Sequence, residues 1–197
     1  MTTRIGIAVF DGADELDWAG PWEVLSLWSR KHPEDDVQVF TVAPDNGHPT
    51  ECAHGLRVLA DHSWASAPQI DVLVYPGGRG ARAQLGNDEV RTWVRAVHQR
   101  ARLTTSVCNG ASVLADAGVL AGREATTHWA DFEELLGIDS SIEARPEARY
   151  VDAGNVITAA GVSAGIDMAL YLIVRLHSED RAREIKRVIQ YEPEPPV

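Results

Sequence analysis

The sequence predicts an α/β fold, a doubly wound and mostly parallel sheet with helices on both faces. Three observations predict it. Continuous apolar runs of strand length recur along the chain, as expected for strands buried on both faces. Stretches of helical period separate them. Gly-, Pro- and Asp-containing turns close several of the runs. Strands and helices that alternate in this way pack as a sheet wound in both directions. The 197 residues are expected to form a single domain over 1–197. A chain of this length buries roughly 70% of its unfolded surface, so it needs no disulfide or metal staple.

The elements follow in order. Residues 5–10 read as the first strand, and an acidic loop follows, Asp11-Gly12-Ala13-Asp14-Glu15-Leu16-Asp17-Trp18-Ala19-Gly20. A helix is expected over 21–29 with Pro21 at its first position, where the missing N–H costs nothing. Strands are expected at 37–42, 72–75, 103–107 and 156–159. The alternating segment 51–60, centred on His54-Gly55, reads as a hairpin. Helices are expected over 88–101, 109–117 with Gly118 as the stop, and 129–136 with Gly137 as the stop. Two more are expected over 163–177 and 178–190, the last capped by Ser178 with Asp180 in its first turn. The Pro-rich tail Glu192-Pro193-Glu194-Pro195-Pro196 cannot be helical and is expected to be extended.

Composition narrows the class. The net charge is −11, and the hydrophobic and charged fractions of 45% and 24% suit a soluble domain. Arg79 and Arg82, and the group Arg181, Arg183, Lys186 and Arg187, are interleaved with acids or apolar residues. They read as solvated helix faces, so nucleic acid is not an expected partner. The first apolar run is too short for a signal peptide, and the run 164–176 is broken by Asp167 and Arg175. No membrane span is expected, the cytoplasm is the expected compartment, and the two cysteines, Cys52 and Cys108, are expected to stay thiols there. There is no H-x-x-x-H or C-x-x-C spacing and no Walker or dinucleotide fingerprint, so neither a metal nor a cofactor is expected.

In a doubly wound sheet the ligand crevice lies beyond the carboxyl ends of the strands. Three loops there carry chemistry. In Val107-Cys108-Asn109-Gly110-Ala111, a cysteine stands between a strand and a helix, with Ser106 two residues before it and Gly110 two after. That is the small-x-nucleophile-x-small pattern of a nucleophile elbow. The first N–H groups of the helix would face the sulfur and lower its pKa. The alternative is a small buried hydrophobe. In Tyr75-Pro76-Gly77-Gly78-Arg79-Gly80, backbone N–H groups can approach a substrate. Gly78 and Asn109 would supply an oxyanion hole, or the glycines form a plain turn. In the acidic loop, Asp17 lies between Leu16 and Trp18 and would point into the crevice with a raised pKa, or cap the helix. Asp11, Asp14 and Glu15 read as solvated loop charges. His128, just before a helix, is a proton acceptor for Cys108 or a capping residue.

These segments together are recognisable. Leu16-Asp17-Trp18-Ala19-Gly20-Pro21, Tyr75-Pro76-Gly77-Gly78, Ser106-Val107-Cys108-Asn109-Gly110-Ala111 and Ala125-Thr126-Thr127-His128-Trp129 resemble the ThiJ/PfpI superfamily. Ala160-Gly161-Val162-Ser163-Ala164-Gly165-Ile166-Asp167 and Gln190-Tyr191-Glu192-Pro193-Glu194-Pro195-Pro196 are similar to its isonitrile hydratase branch. The resemblance implies a flavodoxin-like fold, a homodimer, a small-molecule substrate, a nucleophile at Cys108 and a carboxyl partner at Asp17. It implies cysteine-dependent hydration of an isonitrile to an N-substituted formamide. Glyoxalase-type hydration of an α-ketoaldehyde and a redox-sensing thiol are the alternatives. That branch usually has Thr where this chain has Asn109. Peptidase members have His directly after the cysteine, and this chain does not. Similar segments occur in AraC-type regulators, which continue into a helix-turn-helix domain for which this chain is not expected to have room.

Overall fold

A computed structural model describes residues 2–193. In chain order the elements are β1 (Thr3–Ala8), α1 (Glu15–Lys31), β2 (Val37–Ala43), β3 (Thr50–Glu51), β4 (Arg57–Val58), β5 (His62–Ser63), β6 (Val72–Tyr75), α2 (Arg79–Gln84), α3 (Asp88–His98), β7 (Leu103–Val107), α4 (Gly110–Asp116), β8 (Glu124–Ala125), α5 (Phe132–Ile138), β9 (Glu143–Ala144), β10 (Tyr150–Asp152), β11 (Val156–Ala159), α6 (Ala164–Leu176) and α7 (Glu179–Val188). Among these, seven strands form one sheet in the order β10-β11-β7-β6-β1-β2-β5. Within this sheet only the β10–β11 pair is antiparallel. The expected α/β class and mostly parallel sheet are therefore present.

The central strands β6, β7 and β11 are buried at every residue, including the polar Thr104, Thr105 and Ser106 of β7 and Thr158 of β11. Their register puts Tyr75 beside Ser106 and Ala159 beside Val107, so three strands end level with one another. The loops leaving those ends carry Gly77-Gly78, Cys108 and Val162. The hairpin expected over 51–60 is the β3–β4 pair.

Two helix starts differ from expectation, each for a physical reason. Helix α1 begins at Glu15, not Pro21, because Asp14 caps it by accepting from the Leu16 N–H at 3.3 Å. Asp14 and Glu15 are thus not simple loop charges. Pro21 lies inside the helix, where α1 crosses α6 closely. A Cβ on Gly20 would lie 3.1 Å from Ile166 Cγ1, and one on Gly165 would lie 3.2 Å from Pro21 Cγ. Helix α5 starts at Phe132, not Trp129, because residues 128–131 form a turn in which the Asp131 N–H bonds the His128 carbonyl at 2.9 Å. It then continues through Gly137. Helix α2, unforeseen from the sequence, follows Gly78 at φ 110°. Elsewhere the signals hold: Gly118 follows α4 at φ 76°, and Ser178 Oγ accepts from the Arg181 N–H at 3.2 Å. The expectation for the Pro-rich tail beyond Pro193 lies outside the described residues.

Candidate active site

Cys108 sits in the turn between β7 and α4 at φ 56°, the left-handed region that disfavours any side chain. Its N–H is held by the carbonyls of Ala159 at 3.2 Å and Ala160 at 3.0 Å, and its carbonyl accepts from Thr127 Oγ1 at 2.9 Å. These bonds hold a conformation that costs about 1–3 kcal/mol. The small neighbours read from the sequence are required here. A Cβ on Gly110 would lie 2.4 Å from the Tyr75 carbonyl oxygen. Cys108 and Cys52 are both free thiols, so the two do not pair.

Asp17 approaches from the first turn of α1 and is wholly buried. Its Oδ2 accepts from the Gly77 N–H at 2.8 Å, while Oδ1 is buried with no hydrogen-bond partner. Burial pushes its carboxyl up to about 7 and the nearby Asp14 charge adds to this, while the Gly77 N–H and the Cys108 thiol pull the other way. The desolvated carboxyl expected from Leu16 and Trp18 is present, and the cap is Asp14 rather than Asp17.

The thiol departs from expectation. Burial pushes Cys108 up to about 12, reinforced by the charges of Asp17 and Asp131. The backbone N–H groups of Asn109 and Val162 favour the thiolate but do not outweigh these effects. A turn that throws the side chain toward a helix start lowers a thiol pKa only when the sulfur is also partly solvated. Cys108 is 8% exposed. Thiol and carboxyl are therefore coupled. A proton passing from sulfur to Asp17 also removes the charge that opposes the thiolate.

The glycine turn is engaged. Gly77 N–H is spent on Asp17, and Gly78 N–H donates to Asn109 Oδ1 at 2.7 Å. Asn109 Nδ2 returns a bond to the Gly78 carbonyl at 3.2 Å. A Cβ on Gly77 would lie 2.3 Å from Asn109 Oδ1, so only glycine fits. The Gly78 donor, expected to face an oxyanion, is engaged here by the Asn109 side chain. The buried Asn109 instead clamps the turn that orients Asp17. Its own N–H bears on the sulfur.

His128 lies at the rim. Its Nδ1 accepts from the Ala130 N–H at 3.3 Å and stands 3.6 Å from an Asp131 oxygen. Its ring fills the space a Cβ on Gly161 would take, 2.3 Å from Cδ2. It thus packs beside the loop that presents Val162.

The match that decides the family covers most of the chain: the DJ-1/PfpI family model fits residues 3–175. This chain belongs to the DJ-1/PfpI family. It is 35% identical to the isonitrile hydratase of Pseudomonas putida over all of this chain and 82% of that one. It is 30% identical to a crystal structure of a ThiJ/PfpI family protein from Pseudomonas syringae, with a TM-score of 0.87, covering all of this chain and 78% of that one. It is 26% identical to the HTH-type transcriptional regulator GbdR of Pseudomonas aeruginosa over 95% of this chain and 50% of that one. The fold is the flavodoxin-like fold of this family.

Within this family member the sequence reading missed three residues. Val162, at φ 47°, is strained like Cys108 and turns its N–H toward the sulfur. Its position after a buried strand was the one available signal. Asp131 and Arg82 are the others. Asp131 is buried and acts electrostatically on the sulfur, and Arg82 pairs with it. Asp14, Glu15 and His54 each offer a ligand atom within 4.8 Å of one another. Their other contacts are structural, since Glu15 Oε1 braces the hairpin through the His54 N–H at 2.7 Å and the Leu56 N–H at 3.4 Å. Among the described residues, no helix is long and apolar enough to cross a membrane.

Proposed function

We propose that this protein hydrates isonitriles to N-substituted formamides, with Cys108 as nucleophile and Asp17 as proton carrier. The observation that carries the reading is the buried pair itself. A carboxyl that changes charge near pH 7 lies against a thiol with one oxygen unpartnered. An isonitrile carbon must accept both a nucleophile and a proton, so the pair fits the reaction's demand.

The thiol passes its proton to the Asp17 carboxylate as sulfur bonds to the terminal carbon. Asp17 then delivers that proton to the same carbon, leaving a thioimidate, Cys–S–CH=N–R. Water adds to the thioimidate carbon as Asp17 takes one of its protons. Collapse breaks the C–S bond, and the nitrogen and sulfur each end with one proton, giving R–NH–CHO and the free thiol. The N–H groups of Asn109 and Val162 favour the sulfur anion at both ends of this sequence. The 35% identity to an isonitrile hydratase supports the same reading. The chemistry requires a reduced thiol, which agrees with the cytoplasm as its compartment.

The test is formamide production from a panel of alkyl and aryl isonitriles, followed by mass spectrometry. Wild type is expected to turn over, and Cys108→Ala to lose turnover while keeping its circular dichroism spectrum. Turnover that survives in Cys108→Ala would end the covalent mechanism. Inert isonitriles alongside hydration of an α-ketoaldehyde would move the substrate class to small carbonyls, where His128 takes on the proton-transfer role.

A further inference from the structure

Asp131 is a second buried carboxylate whose charge acts on the thiol, and the reaction above does not use it. Its side chain is 6% exposed, and its charge disfavours the Cys108 thiolate. A buried carboxylate with no cation would be costly. The cation is Arg82, 49 residues away in sequence. Arg82 Nη2 donates to Asp131 Oδ1, and its Nε donates to Glu134 Oε2 at 2.9 Å. Glu134 also accepts from Ser112 Oγ at 3.2 Å, one turn along the helix that Cys108 precedes. Arg82 is therefore tied to α5 and, through Glu134, to α4. It rises from α2, the helix that follows the Gly77-Gly78 turn holding Asp17.

We infer that Arg82 is a positioning residue of the thiol site, acting through Asp131 and Glu134. It neutralises the second carboxylate acting on Cys108 and ties α2, which follows the glycine turn, to α5, which follows the His128 turn. Five groups bear on the sulfur. Asp17 comes from α1, and Asp131 from the turn before α5. Arg82 comes from α2, and the Asn109 and Val162 N–H groups from the two strand ends. Asp14 acts on Asp17, and His128 faces Asp131. Of these, only Arg82 brings a fixed positive charge. The inference rests on Cys108 being the reactive thiol and not on an isonitrile being the substrate.

Alkylation of Cys108 by iodoacetamide from pH 7 to 10, quantified by peptide mass spectrometry, reads this directly. The thiolate is the reacting form, so below the thiol's pKa the rate follows the thiolate fraction. Arg82→Gln is expected to slow alkylation at pH 8 by about three- to tenfold, the effect of a shift of roughly half to one pH unit. Asp131→Asn is expected to speed it by a similar factor. The double variant removes one charge of each sign and is expected within about twofold of wild type, as is Arg82→Lys. A purely structural strap would lower the melting temperature in both single variants without moving the rates in opposite directions. A folded Arg82→Gln protein that alkylates at the wild-type rate would overturn the inference. If Arg82→Gln does not fold, Asp131→Asn decides: an unchanged or slower rate overturns it. A wild-type Cys108 inert to iodoacetamide throughout would overturn the reactive-thiol reading and this inference with it.

Discussion

At the scale of single residues, the site turns on how burial treats two acids. Asp17 and Cys108 were legible because their signals are local: a carboxyl between bulky residues, and a cysteine between small ones at a strand end. The thiol's ionisation was not legible, because it depends on exposure and on Asp131, which only the folded chain brings near. Nor was Val162, whose contribution is a backbone N–H that no residue type reveals. Asp17 gives the sharpest prediction. Its carboxylate must take the thiol proton, so kcat/KM is expected to rise with pH and level off above about 7. Its folded pKa, about 7, lies above the ordinary 3.8, so the native state holds the proton more tightly than the unfolded chain. Its contribution to stability is therefore full below pH 4 and lost as pH rises to 7, by up to about 4 kcal/mol at roughly 1.4 kcal/mol per unit. Asp17→Asn keeps a neutral acceptor for Gly77 N–H and is expected to remove turnover. It should also melt higher than wild type at pH 8 and nearly the same at pH 4. Thermal melts at the two pH values check this, and equal differences at both would contradict it.

At the scale of elements, periodicity found the buried strands and most helices, and it failed where tertiary contacts override local rules. Pro21 read as a helix start because proline is tolerated there. It sits mid-helix because α1 runs back to its Asp14 cap and carries Asp17 inward on its first turn. Helix α2 escaped notice because its start is a glycine pinned by Asn109, a contact across 31 positions of sequence. The α1–α6 crossing is the packing that sets where Asp17 stands relative to Val162. A Cβ on Gly165 would meet both Pro21 Cγ and Val107 Cγ2 at 3.2 Å. Gly165→Val is therefore expected to overpack this junction and cost about 1–3 kcal/mol in chemical denaturation. Its kcat should fall as well, because α1 cannot shift without moving Asp17. Wild-type stability in that variant would show the crossing to be more yielding than its contacts indicate.

At the scale of the whole molecule, alternating strands and helices pointed to the sheet, and the loops beyond its strand ends bring Asp17, Gly77 and Cys108 together. Assembly is the remaining question at this scale. Most large apolar side chains are buried, yet Leu16, Leu56 and Leu59 are 42%, 50% and 59% exposed. Glu15 accepts from the Leu56 N–H, so the hairpin lies against the start of α1. Trp129, 81% exposed beside His128, adds apolar surface at the rim of the site. Exposed apolar side chains are suited to association. We propose a homodimer whose interface includes the start of α1 and the hairpin. Asp17 lies one residue from Leu16, so the same contact would brace the carboxyl that the reaction needs. Light scattering after size exclusion is expected to give about 43 kDa, twice the 21.5 kDa of one chain. Leu16→Glu with Leu59→Glu is expected to give the monomer mass and reduced kcat. A wild-type mass of one chain would remove the dimer, and a monomeric double variant with full kcat would separate assembly from catalysis.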